Sequence, residues 1–188
     1  MRVLVTGAAG SGTSTLGKGL AQQWNARFLE ADSYFWHPTQ PPFSQKRLPE
    51  ERSTLLMQAL EAETASVVAG SVMGWSTHIE DAFSLVIFLY VPTEVRLQRL
   101  ESREVQRFGK ANPAFLEWAA QYDEGLQEGR SLAKHNSWLA TRKCQVIRLV
   151  GNYPVTELLA QVELQAPNPS IEGMPKRLRL LCTPHVKR

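Results

Sequence analysis

The residues Gly7-Ala8-Ala9-Gly10-Ser11-Gly12-Thr13-Ser14-Thr15 have the types and spacing that hold an oxyanion. Glycines let successive backbone N–H groups turn toward one anion, and a helix opening directly after them adds its positive end. The pattern expected of a phosphate loop is G-x-x-x-x-G-K-[ST], in which the lysine neutralises the outer phosphates and the hydroxyl meets magnesium. Gly7, Gly10, Ser11, Gly12, Ser14 and Thr15 fit a phosphate-binding role, and Thr13 stands where the lysine belongs. A second frame beginning at Gly12 contains Gly17-Lys18, but it places Gly19 where a hydroxyl is needed and starts inside the expected helix. Loss of the lysine removes a point charge and leaves the backbone cradle, so binding is expected to persist while catalysis needs another cation.

Such a loop must be placed by a strand before it and a helix after it. Val3–Val5 and Thr13–Trp24 supply these. Further strand-length runs at Arg27–Leu29, Ser66–Ala69, Leu85–Val91 and Gln145–Leu149 alternate with helix-length stretches, which predicts an α/β fold with a five-stranded parallel sheet. The fourth run is apolar throughout, as suits a central strand covered on both faces. Thr93 is expected to cap a helix over Glu94–Arg107, and Pro49 to open one that runs to about Glu63. Residues 32–48, rich in proline and aromatics, read as an insertion. The stretch 108–130, with an aromatic helix from Pro113, reads as a mobile cover. A last helix is expected from Pro154 to about Gln165.

The chain has 188 residues, 43% hydrophobic and 21% charged, the composition of one soluble globular domain. No run has the length of a membrane span, and the N-terminus reads straight into structure, so no membrane association and a cytoplasmic location are expected. Two cysteines, Cys144 and Cys182, suggest neither a disulfide framework nor a thiolate metal site. His37, His78, His135 and His185 are too scattered for a metal site. The net charge of +3 comes from the tail: residues 166–188 hold five of the 21 Lys and Arg and one of the 18 acids, leaving −1 for residues 1–165. That tail is expected to be poorly ordered. It lacks interleaved aromatics, so nucleic acid is not an expected partner.

With its loop placed, the chain resembles the P-loop nucleotide and small-molecule kinases, the group of adenylate kinase, shikimate kinase and gluconate kinase, over about residues 1–165. It is most similar to a bacterial adenylate-kinase-like subgroup whose loop reads G-S-G-T-[ST]-T. That likeness extends to Pro41-Pro42-Phe43, Gly70-Ser71, Phe88–Pro92 and Glu128-Gly129-Arg130-Ser131. The resemblance implies the P-loop NTPase fold, an acceptor-binding insertion at about 32–64, a lid at about 104–130, and ATP with Mg2+ as cofactors.

It also implies roles. A carboxylate at Asp32 would orient or deprotonate an acceptor hydroxyl, although Asp32 equally reads as a cap of the next turn. Arg96, Arg99 and Arg103 share one helical stripe. Arg99 would contact the nucleotide, and Arg103 with Arg130 would stabilise the transferring charge, either one standing in for the lysine. For Arg96 and Arg99 a solvated basic face paired with Glu101 and Glu104 is the alternative. Arg47 and Arg52 would bind the acceptor, as would Ser71 and Trp75; Tyr34, Phe35 and Trp36 read either as base-stacking or as core. The region before Leu85–Val91 offers Asp81 and then Ser84, without an acid at the usual strand end, leaving Ser14 as the one assigned magnesium ligand. The expected function is ATP-dependent phosphoryl transfer to a small-molecule acceptor such as a nucleoside, nucleotide or other hydroxyl metabolite, by a monomer or homodimer. An ATP-binding sensor without turnover is the alternative.

Overall fold

A computed structural model describes residues 1–125 and 130–166. Glu128, Gly129 and the tail from residue 167, including Cys182 and His185, lie outside the described residues. Five strands, β1 (Arg2–Gly7), β2 (Arg27–Glu30), β3 (Ser66–Ala69), β4 (Leu85–Tyr90) and β5 (Gln145–Val150), form one all-parallel sheet in the order β2-β3-β1-β4-β5. Val5 lies opposite Ala69 on one side and Ile87 on the other. The expected strands are therefore all present, each within a residue or two of its anticipated bounds.

Period-two alternation assigns the strand residues to two cores. Leu4, Val68, Val86 and Phe88 face α3 (Pro49–Glu61), α4 (Thr77–Glu80) and α7 (Leu132–Ala140), through Leu56, Leu60, Ile79 and Trp138. Val3, Val5, Val67, Ile87 and Leu89 face α1 (Thr13–Gln23) and α8 (Val155–Gln165), through Leu16, Leu20, Leu158 and Val162. Both faces of β1 and β4 are dry over Val3–Val5 and Leu85–Leu89, which explains the uninterrupted apolar sequence there. Each fully buried leucine contributes about 1.5–3 kcal/mol.

Three features differ from expectation. The helix α5 (Thr93–Phe108) begins at Thr93 itself, with no side-chain cap. The Thr93 hydroxyl is instead spent on donating to Asp123 Oδ2 at 2.6 Å while accepting from Arg96 Nη2 at 2.7 Å. A short helix, α2 (Ala31–Phe35), follows β2 without a break. Finally α7, unanticipated, completes the crossover from β4 to β5; Ser131 caps it by accepting from the Lys134 N–H. The remaining helix, α6 (Pro113–Ala120), starts where Pro113 predicts and is capped by Asn112. Among the described residues no helix is long and apolar enough to cross a membrane.

Candidate functional site

The loop between β1 and α1 lies at the carboxyl ends of the strands, where open α/β sheets collect ligands. Its shape requires glycine at two points. Gly10 has φ +80°, and a Cβ there would lie 2.6 Å from the Arg96 carbonyl oxygen of α5. Gly12, at φ +95°, turns the chain into α1 from the left-handed region. Ser11 is buried and used inside the loop: its N–H and its hydroxyl both donate to the Ala8 carbonyl, at 3.2 and 2.8 Å. Gly7 ends β1 against Leu89. Thr13 and Ser14 are half-buried and Thr15 is exposed in the first turn of α1.

The Ser14 hydroxyl donates to Glu30 Oε1 at 3.1 Å. Glu30, the last residue of β2, is a functional candidate that sequence reasoning missed. The available signal was an acid two residues before Asp32 at a strand end on the same sheet edge. Burial pushes the Glu30 carboxyl above the usual range, with Asp32 adding to the rise; the Ser14 hydrogen bond and the charges of Lys18 and Arg103 oppose it. Oxygen donors of this kind suit a hard divalent cation. Among the described residues no cluster of three metal-ligating side chains occurs, so such a cation would keep water or phosphate in most of its shell. Lys18 is not a loop residue: its ammonium sits 5.6 Å from the centre of the Phe28 ring.

Asp32 is exposed in the first turn of α2 and caps nothing with its side chain. It lies close enough to Arg130 to favour that guanidinium's charge, which burial disfavours. The Arg130 guanidinium sits 5.8 Å from the Trp118 ring centre. A cavity of about 10 Å³, enough for one water, separates Arg130, Trp118 and Tyr122 from Ala8 and Ala9 of the loop. Arg103 is exposed and its charge is felt at Glu30. The structure thus brings Asp32, Arg103 and Arg130 to the same mouth as Ser14.

Arg96 overturns the reading of a solvated basic face. It is fully buried, and its guanidinium donates to the carbonyls of Val91 at 3.0 Å, Ala119 at 3.2 Å and Ala9 at 3.4 Å, with Asp123 Oδ1 3.6 Å away and the Tyr122 ring beneath it. Neither Glu101 nor Glu104 is its partner. Arg99 is exposed, yet its guanidinium also reaches the loop, at 3.4 Å from the Gly10 carbonyl and 3.3 Å from that of Ser11; it donates to Asn152 Oδ1 at 2.6 Å.

On the insertion side the two predicted arginines part company. Arg47 is engaged locally through Nη1, 2.6 Å from Glu51 and 3.1 Å from His37 Nδ1, with its Nε unpaired. Arg52, its Nε likewise unpaired, lies between the rings of Phe35 and Trp75, at 4.6 and 5.0 Å, with no carboxylate partner among the described residues, and burial pushes its pKa down. Trp75 is buried and Ser71 half-buried in the turn after β3. Glu80 fixes that turn by accepting from the Gly74 N–H at 2.6 Å and from Trp138 Nε1 at 2.8 Å. Phe35 and Tyr34 pack against the core; Trp36 stacks edge-on with Phe35.

A family model described as an AAA domain matches residues 3–112, more than half of the chain. The chain belongs to the AAA domain family. This AAA domain chain is 36% identical over 168 residues to the uncharacterized protein YqaC of Bacillus subtilis (strain 168), across 84% of this chain and 93% of that one. Three solved structures share its fold. Shikimate kinase from Bacteroides thetaiotaomicron aligns with a TM-score of 0.52 at 17% identity, over 87% of this chain and 97% of the other. Shikimate kinase from Acinetobacter baumannii, in complex with shikimate, gives 0.53 at 18% identity, over 87% and 90%. A gluconokinase from Sinorhizobium meliloti 1021 gives 0.53 at 18% identity, over 92% and 97%. The architecture of this AAA domain is thus the P-loop NTPase fold in its kinase-like form.

Proposed function

We propose that this protein binds ATP with Mg2+ and transfers the γ-phosphoryl group to a hydroxyl of a small metabolite, as a member of an adenylate-kinase-like subgroup of kinases. The observation that carries the reading is the convergence at one strand-end mouth: a glycine loop, the Ser14–Glu30 pair, and Asp32 within electrostatic reach of Arg130. Ser14 and Glu30 would hold the magnesium, which when bound neutralises phosphate charge. The loop amides would hold the phosphate chain. Arg103 and Arg130 would stabilise the charge that spreads over the transferring oxygens.

In the transfer, the acceptor oxygen forms a bond to the γ-phosphorus while the bond from that phosphorus to the bridging β–γ oxygen breaks. ADP leaves with the electron pair, and the hydroxyl proton passes to the Asp32 carboxylate. Arg52, held by Phe35 and Trp75, together with Ser71, would contact the acceptor, and Arg47 would support the insertion. The absence of a loop lysine favours one other reading, a nucleotide sensor without turnover.

The test is ADP release from Mg-ATP across nucleosides, nucleoside monophosphates, shikimate, gluconate and neutral polyols. The kinase reading expects one class to raise turnover and Asp32→Asn to lower kcat by about 10²–10⁴-fold, the usual worth of a positioned acid–base group. Mg-ATP binding with no acceptor-dependent release, unrelieved by Thr13→Lys, supports the sensor.

A further inference from the structure

Three consecutive loop carbonyls face a cation supplied by α5. Arg96 Nη1 stands 3.4 Å from the Ala9 oxygen, and Arg99 Nη1 stands 3.4 Å from that of Gly10 and 3.3 Å from that of Ser11. The opposite ends of these same peptide units are the N–H groups of Gly10, Ser11 and Gly12. Ser11 uses its N–H on Ala8; no hydrogen bond among the described residues uses that of Gly10 or Gly12. A cation at the oxygen end of a peptide polarises the whole unit, so its N–H becomes a stronger donor. Arg99 reaches within 3.7 Å of where a Gly12 Cβ would be, immediately before the position of the missing lysine.

The two arginines differ in how much net charge they bring. Arg96 is paired with Asp123 at 3.6 Å, whereas the side-chain partner of Arg99 is the neutral Asn152, and among the described residues it has no acidic partner. We propose that Arg99, seconded by the buried Arg96, backs the phosphate loop from its carbonyl side and supplies the positive field that Thr13 does not. Both are positioning residues: they act through the loop peptides. The proposal rests on the nucleotide-binding reading of this loop.

The experiment is Mg-ADP affinity by calorimetry in the full chain for Arg99→Met and Arg96→Met, each with and without Thr13→Lys. Arg107→Met, which removes a charge from the exposed end of the same helix, is the control. The expected result is a roughly tenfold loss for Arg99→Met against less than twofold for Arg107→Met. Thr13→Lys should improve affinity at least fivefold more in the Arg99→Met background than in the unmodified protein, a coupling that a purely structural arginine would not show. Arg99 is exposed, so its variant tests the idea even where Arg96→Met fails to fold. Equal gains from Thr13→Lys in both backgrounds, or Arg99→Met binding as well as Arg107→Met, overturn the proposal. Failure of the unmodified protein to bind Mg-ADP overturns both this and the nucleotide reading, whereas coupled binding without acceptor-dependent turnover sinks only the kinase reading.

Discussion

Two arginines, Arg96 behind the loop and Arg52 at the insertion, are held in opposite ways. Arg96 has three carbonyls, a hydroxyl and a carboxylate around it, and joins the loop, the end of β4 and the end of α6. Arg52 is gripped by two ring faces and leaves its Nε unsatisfied. A guanidinium with all its donors used is a structural tie; one positioned by aromatic faces with donors to spare is available to a ligand. On the proposed reading, the nucleotide side of the molecule is therefore built and the acceptor side is poised.

The sharpest way to break this contrast is to remove both charges. Arg96→Met is expected to cost about 4 kcal/mol in urea unfolding, since it strands buried carbonyls and Asp123, while Arg52→Met stays within about 1 kcal/mol. Comparable losses from both would erase the distinction.

A second probe uses pH on the structured side. His135 is fully buried, its Nδ1 2.5 Å from the Tyr122 hydroxyl, and burial together with the Arg130 charge pushes its pKa down to about 4. The unfolded chain takes up this proton first, so the contribution of a neutral His135 is complete above pH 6.5 and is lost as pH falls toward about 4. Unfolding free energy should fall in that window about 1.4 kcal/mol per pH unit faster than in His135→Phe. Parallel pH profiles for the two proteins would count against a neutral, buried His135.

The smallest effect sharpens the acceptor side. Arg52→Gln should raise the acceptor KM about tenfold, worth about 1.4 kcal/mol, with the ATP KM unchanged, and Arg47→Gln should do neither. A shift in the ATP KM instead would move Arg52 to the nucleotide side.

What was legible in the sequence was local. Glycine spacing and uninterrupted apolar runs act through backbone conformation and strand burial, and they placed the loop and all five strands. Arg96 was misplaced because an i, i+3, i+7 stripe says which residues share a face, and only tertiary packing says whether that face meets water. The helix α5 touches the loop on that stripe, so a charged run became a buried tie at one end and an exposed arginine at Arg103. Glu30 was missed because its one local signal, an acid at a strand end two residues before Asp32, does not name Ser14 as its partner; the fold does. Of the insertion arginines, Arg47 carried a local signal, Glu51 four residues on, whereas the Trp75 that flanks Arg52 reaches it only through the fold.

The strand order has a consequence for synthesis. Val3 of the first strand made pairs with Val67 on one side and Leu85 on the other, and the helix that closes its second face, Val155–Gln165, is made last of the described elements. As the chain leaves the ribosome, β1 is an apolar ribbon with both edges open until β3 and β4 emerge, and the glycine turn after it has no arginines behind it until α5 follows. One apolar face of β1 thus stays uncovered during synthesis until Val155–Gln165 emerges, well after both of its edges are paired.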